Sequence, residues 1–331
     1  MDFVANFLAD LGLNTHPAWA LAGGIVLLLV SGELVVLVLG RLENHQFGAV
    51  HLGALFTPLC TGFPNLILGI FGGNRLSGDL VLHLNIGNNI ANASLVAGML
   101  ILICGPLVVK TGKSKAAKKD HTDFGLTMVF YWIGALAACF VCIDGRVSRL
   151  DGLILAAIYF CFQILLLRRR GTPPKRKRLA KSLAALLLGV LILAAILIAV
   201  AVEAIAMGMQ IAESQMPGSF LGMFLGLLTV LPESFLLLRL AKRKGSLGLS
   251  GLVGDCLVSI PLVAGVAAMI SPFLTQAIHK PGDAAAMPFW NLALAMSMLS
   301  LLSLREKPLP RKLGLVYIGV YALIWWLTPS L

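Results

Sequence analysis

The residues that could do chemistry in this chain lie where a charge is most costly. In Leu227-Leu228-Thr229-Val230-Leu231-Pro232-Glu233-Ser234 a carboxylate follows a proline, and the stretch Phe220 to Thr229 carries no charge. In hydrocarbon an ionised Glu costs at least about 2.5–3.5 kcal/mol on insertion scales, so Glu233 needs a partner. Pro232 removes one backbone N–H and frees a carbonyl one turn back, which opens the helix locally. Open backbone beside a buried acid is how membrane transporters commonly build a cation site.

A related centre lies at Pro64-Asn65 and continues into Leu84-Asn85-Ile86-Gly87-Asn88-Asn89-Ile90-Ala91-Asn92. Asn85, Asn88, Asn89 and Asn92 step at i, i+3, i+4 and i+7, so on a helix they form one polar stripe. Interhelical hydrogen bonds, worth about 0.6 kcal/mol each, are the plainer reading. Lining a hydrated cavity or ion path suits four amides in so short a stretch better. Three more acids interrupt apolar runs, at Glu33, Glu203 and Asp255. The available ligands are all oxygen: carboxylate, amide, hydroxyl and freed carbonyl. Such a set suits Ca²⁺, Na⁺, Mg²⁺ or Mn²⁺ and argues against a soft metal. Glu233 and Asp255, if both ionised, would neutralise a divalent cation; protons on one or both are the alternative, since close like charges resist joint ionisation.

The elements that must carry these residues are membrane spans. Of the 331 residues 58% are hydrophobic and 12% charged, with mean hydropathy +0.91, against roughly 25% charged in a soluble domain. Runs long enough to span, about 20 residues, fall at 18–39, 47–71, 80–108, 124–142, 150–168, 182–211, 218–240, 250–271, 286–304 and 312–329. The expected fold is therefore an all-α polytopic membrane protein of about ten transmembrane helices.

The net charge of +11 is not a nucleic-acid signature, because of where it lies. Alternate loops of the ten-span layout hold 22 of the 26 Lys and Arg; the other loops hold only Arg75, Arg146, Arg149 and Lys280. The positive-inside rule then places the basic loops in the cytoplasm and both termini outside, in the plasma or inner membrane. The run from Arg168 to Lys181 reads first as a topogenic loop, with binding of anionic lipid or a regulator as the sharper alternative. The six cysteines fall in or at the edges of apolar runs. Cys139 and Cys142, a C-x-x-C, read as packing on one helix face. Met1 to Pro17 has two acids and no basic region, so no cleavable signal peptide is expected. His51 and His83 near the first centre read as neutral packing or hydrogen-bonding groups, with a proton-coupling role as the alternative.

The chain reads as two copies of one plan. Glu33 precedes Pro64 by 31 positions and Glu203 precedes Pro232 by 29; Gly87 and Gly254 follow those prolines by 23 and 22. Five spans per copy is an odd number, so the second copy is inverted. The loop after the first centre is poorly basic and the loop after the second strongly so, as inversion requires. Inverted repeats, helices broken at the midplane and polar residues there together point to a secondary transporter. The boundaries expected are 16–170 for the first repeat, with its motif at 57–98, then a basic linker at 171–181. The second repeat is expected at 182–331, with its motif at 225–265. Each broken helix is expected to pack against the polar-stripe helix of its own repeat. No nucleophile constellation and no repeated acid or histidine motif of a membrane enzyme is present, so the chain reads as a non-enzyme.

At these residues the chain resembles the calcium/cation antiporter superfamily, which includes sodium/calcium and proton/calcium exchangers. Cys60-Thr61-Gly62-Phe63-Pro64-Asn65 with Gly87-Asn88-Asn89-Ile90-Ala91-Asn92 resembles the first alpha-repeat motif of that family. Leu228-Thr229-Val230-Leu231-Pro232-Glu233 with Gly254-Asp255-Cys256-Leu257-Val258-Ser259 resembles the second. The resemblance covers nearly the whole chain. It implies that Thr61, Asn65, Asn88, Asn92, Thr229, Glu233, Asp255 and Ser259 line the ion sites. Glu233, Asp255 and Asn65 would be the main cation ligands, and Glu33 and Glu203 would be coupling or secondary positions. It implies exchange of a cation, Ca²⁺ in the first place, against Na⁺ or H⁺ by alternating access. Partners are then inorganic cations and the bilayer, with no cofactor and no nucleic acid. Departures lie in the site: Asn65 stands where the family has a glutamate, Asp255 where it has a serine, and Gly62 and Val230 where it has small hydroxyl residues. Selectivity for Mg²⁺, Mn²⁺ or a monovalent ion, or a non-transporting relative with a decayed site, are the alternatives these departures open.

Overall fold

The computed structural model describes residues 16–45, 62, 65–66, 69–70, 78–105, 115–170, 181–212, 218–243, 245–280, 282–303 and 310–327. Among these residues nine helices follow one another. They are α1 (Pro17–His45), α2 (Gly78–Cys104), α3 (Lys115–Val141), α4 (Arg149–Arg170), α5 (Lys181–Ala212), α6 (Gly218–Arg243), α7 (Gly245–Leu257 continued by Val258–Ala264 and Gly265–Ile270), α8 (Met287–Ser303) and α9 (Lys312–Leu327). Each covers one of the apolar runs read from the sequence. The run at 47–71, with Thr61, Pro64 and His51, lies almost entirely outside the described residues. Asn65 and Leu66 have helical backbone, and the Leu66 N–H donates to Gly62 O at 2.8 Å.

By length and composition α2, α3, α4, α5 and α7 can each cross a membrane, and α6 can do so as a bent pair. The bend falls at Pro232, where Leu221–Leu231 and Glu233–Lys242 meet at 40°. The span is thus broken in direction at the proline, as expected, while the backbone on both sides stays helical. Irregular backbone occurs also in the polar-stripe helices α2 and α7. The α-helical ladder widens to π geometry at Asn92–Val96 in α2 and at Val258–Ala264 in α7. In α7 the cause is visible: Pro261 lies inside the stretch and has no N–H to donate.

The two stripe helices form the centre. In α2 78% and in α7 83% of the span is buried, against 24% in α5, whose Leu186, Leu188, Ile192 and Ile196 are exposed along a lipid-ready face. Close approach at glycines sets how the helices pair, as expected where hydrocarbon gives no hydrophobic drive between helices. Gly222 and Gly226 on α6 lie against the backbone of α2; a Cβ on Gly222 would run into His83, and one on Gly226 into Asn88 N. Gly87 answers from the other side, where a Cβ would meet Met223 Cα at 2.6 Å. In the first repeat Gly69 lies against Val263 of α7.

The packing is thus crossed: α6 of the second repeat lies along α2 of the first, and the described part of the first repeat's proline segment touches α7 of the second. The expected packing within a repeat is present beside it for α6, which also lies on α7, with Gly248 against Ala241. The outer contacts are crossed in the same way. Gly98 on α2 meets Gly314 on α9, and Gly265 on α7 meets Gly152 on α4, each by backbone-to-backbone contact. A small antiparallel ribbon, β1 (Arg146–Val147) with β2 (Phe273–Leu274), ties the segment after α3 to that after α7, with Arg146 opposite Leu274.

Candidate functional site

Helix periodicity puts Gly222, Gly226, Thr229 and Glu233 on one face of α6. The first two let α2 come close, and the last two then meet its asparagines. Asn88 Nδ2 donates to Thr229 Oγ1 at 3.1 Å and to Glu233 Oε2 at 3.4 Å. Thr229 Oγ1 itself donates to Gly226 O at 2.9 Å. On the other side of the carboxylate, Asn65 Nδ2 donates to Glu233 Oε1 at 3.0 Å and lies 3.4 Å from Ser259 Oγ.

One helical turn along α2, Asn92 Nδ2 donates to Asp255 Oδ2 at 2.7 Å and to Asn88 Oδ1 at 3.1 Å. Ser259 Oγ donates to Asp255 O at 3.1 Å and lies 3.4 Å from Asn88 Oδ1. Glu233 and Asp255 are also within hydrogen-bonding reach of each other. Two carboxyl groups in that relation hold a proton or a cation between them, because a dry site does not tolerate two bare like charges in contact.

Seven of the eight residues singled out for the ion site therefore form one cluster, and every one is buried: Asn65, Asn88, Asn92, Asp255 and Ser259 are fully enclosed, and Thr229 and Glu233 nearly so. Thr61 lies outside the described residues. Val230 and Gly62, the positions without a hydroxyl, are buried too.

The asparagine stripe divides. Asn88 and Asn92 enter the cluster, whereas Asn85 Nδ2 turns back to Val81 O at 2.7 Å and Asn89 Nδ2 to Asn85 O at 2.8 Å. Every amide in the cluster points its N–H groups at an acceptor. Asn65 Oδ1 and Asn92 Oδ1 have no hydrogen-bond partner among the described residues.

Glu33 and Glu203 separate from each other. Glu203 is buried on α5. Glu33 is not a deeply enclosed charge: its side chain is 46% exposed and its Oε2 lies 3.4 Å from Arg239 Nη1, an ion pair from α1 to α6. His83 stays on its own helix, with Nδ1 at 2.9 Å from Asp79 O and 3.4 Å from Asp79 Oδ1. Cys139 and Cys142 carry free thiols. Among the described residues no three of His, Cys, Asp and Glu converge as a metal-holding group, so the cluster is one of two acids among amides and hydroxyls.

Gly222 and Gly226 are the positions that the sequence reading missed. Their signal was present as Gly-x-x-x-Gly one turn before Thr229, a spacing that permits close helix contact.

Comparison with known proteins agrees with this architecture. Solved structures of the sodium-calcium exchanger NCX_Mj are similar. One, soaked with 100 mM Na⁺ and 10 mM Sr²⁺, is 19% identical with a TM-score of 0.64, covering 93% of this chain and 96% of that one. Another, soaked with 2.5 mM Na⁺ and 10 mM Sr²⁺, is 19% identical with a TM-score of 0.64 over 94% and 98%. Among curated proteins none matches this chain. The model of the family described as sodium/calcium exchanger protein matches residues 16–168 and again 186–328, and this chain belongs to that family.

Proposed function

We propose that this protein is a secondary active cation antiporter that carries a hard cation, Ca²⁺ first, against Na⁺ or H⁺ by alternating access. One observation carries the reading: five buried polar residues from both repeats converge on the buried carboxyl groups of Glu233 and Asp255 where α2, α6 and α7 cross. Family membership supports it. So does the shared fold with NCX_Mj, a protein described as an exchanger and soaked with Na⁺, Sr²⁺ or Ca²⁺.

The chemistry follows from the donor set. In the arrangement described, amide N–H groups occupy the carboxylate oxygens that a cation would need. Turning the Asn65 and Asn92 amides over would exchange N–H for C=O and supply two further oxygens beside Glu233 and Asp255. The oxygens a Ca²⁺ requires, six to eight including water and backbone carbonyls, would then come from both repeats. Movement of one repeat against the other would open the site to alternate sides. The proposed orientation, with the basic loops in the cytoplasm and both termini outside, rests on the 22-to-4 distribution of Lys and Arg between alternate loops.

The test is radioactive Ca²⁺ uptake into proteoliposomes driven by an imposed Na⁺ or H⁺ gradient, with Mg²⁺, Mn²⁺ and monovalent ions as competitors. Wild type should take up Ca²⁺ down one of the two gradients. Glu233→Gln keeps size and shape but removes a charge, and should abolish uptake while eluting as the same folded species. No gradient-driven flux of any cation in wild type would refute transport, and full flux in Glu233→Gln would refute the site.

A further inference from the structure

Between α3 and α8 the surface opens into a cavity of about 340 Å³, lined by Trp132, Leu136 and Cys139 on α3 and by Trp290 and Ala293 on α8. That is within the range of small-molecule sites, about 300–1,000 Å³. Leu136 and Trp290 are 62% and 55% exposed at its edges, so the cavity faces sideways, toward hydrocarbon. Its inner end is set by a bridge between the two helices, the Trp132 indole N–H donating to Ser300 Oγ at 3.0 Å.

The cavity's shape and ends are those of a lipid site. From Trp132 to Cys139, at about 1.5 Å per residue, its lining runs on the order of 10 Å along α3, and Ile143 in the turn beyond extends it. Half of a hydrocarbon core of about 30 Å is on the order of 15 Å, so the groove with its turn spans most of one leaflet. Its wall is apolar and aromatic until the outer end, where His279 and Lys280 line it, both exposed. The nearby Asp283 carboxylate is engaged by the loop itself, its Oδ2 accepting from the backbone N–H of His279 at 2.9 Å and of Lys280 at 2.8 Å. Among the described residues the Lys280 ammonium has no ion-pair partner. Lys280 is also one of only four basic residues in the poorly basic set of loops. A cation placed at the end of such an apolar groove complements a lipid phosphate, and an acyl chain fills the space below.

We propose that this groove is a binding site for one anionic phospholipid, its acyl chain lying between α3 and α8 and its phosphate on Lys280 and His279. The site is separate from the carboxylate cluster and does not depend on the antiporter reading. The test uses the full chain, incubated with equal phosphatidylglycerol and phosphatidylcholine and examined by native mass spectrometry. Tryptophan quenching by brominated-chain phosphatidylglycerol in nanodiscs runs in parallel. Wild type should retain phosphatidylglycerol several-fold over phosphatidylcholine and be quenched. Lys280→Gln should lose the preference while a chain still binds, and Ala293→Phe, which fills the groove, should lose retained lipid of both kinds with its thermal unfolding unchanged. Equal retention of the two lipids by wild type, or full retention in Ala293→Phe, would overturn the proposal. So would a lipid-free dimer that buries this face. Should Ala293→Phe fail to fold, Leu136→Trp narrows the same groove from α3 and carries the same expectation.

Discussion

Replacing Asn65 by Asp tests the site by changing one atom. The side chains have nearly the same volume, so the change is electrostatic. Asn65 Nδ2 now donates to Glu233 Oε1 at 3.0 Å; in Asn65→Asp a carboxylate oxygen takes its place. The lost hydrogen bond to a charged group is worth roughly 1.5–3 kcal/mol. Two full charges 3.0 Å apart repel by roughly 5.5 kcal/mol at an effective dielectric of about 20. Proton uptake and entering water relieve most of this. If about 2 kcal/mol survives, the cation-free protein is destabilised by that amount. A bound divalent cation removes the repulsion, so affinity rises by roughly 30-fold. Thermal unfolding in detergent with and without saturating Ca²⁺, and calorimetric titration, read both halves of the effect. Asn65→Asp should lower the cation-free Tm and widen the Ca²⁺-induced shift, since ligand binding stabilises by mass action. Raising the pH should widen it further, because protons compete with the cation for the same oxygens. Asn65→Ala loses the hydrogen bond without adding charge and should show the lower Tm without the gain in affinity. An Asn65→Asp protein with wild-type Tm and wild-type affinity would show that the Asn65 amide does not face Glu233.

Two further outcomes are expected. Asp255→Asn leaves a single carboxylate for a 2+ ion and should sharply weaken divalent binding. Adding Asn65→Glu returns the charge to the cluster and should restore part of it, short of additivity because the residues share partners; wild-type affinity in Asp255→Asn would remove that residue from the ligands. For orientation, a membrane-impermeant thiol reagent should label Arg146→Cys from outside intact cells, in a background without native cysteines, and should leave Lys115→Cys unlabelled. The reverse pattern would invert the topology.

The sequence by itself determined the class of this protein and the membership of its polar centre. Hydrocarbon demands an internally satisfied backbone, which a long apolar run meets as a helix, and penalises every stray charge, so apolar length marks the spans and each interruption marks a residue that needs a partner. That logic is local: it marked Asn65, Asn88, Asn92, Glu233 and Asp255, the family resemblance added Thr229 and Ser259, and the structure brings all seven into one buried cluster. Partners are not local. The spacing of Asn85 and Asn89 is the same as that of Asn88 and Asn92, yet only the latter pair reaches the carboxylates, because the close approach at Gly222 and Gly226 sets how α2 is turned against α6. Glu33 looks in sequence like Glu203, but Arg239 lies beside it only once α1 has met α6. The crossed pairing of the repeats was beyond the sequence for the same reason. Backbone contact at Gly98 with Gly314 and at Gly152 with Gly265 joins residues of opposite repeats that no local pattern pairs.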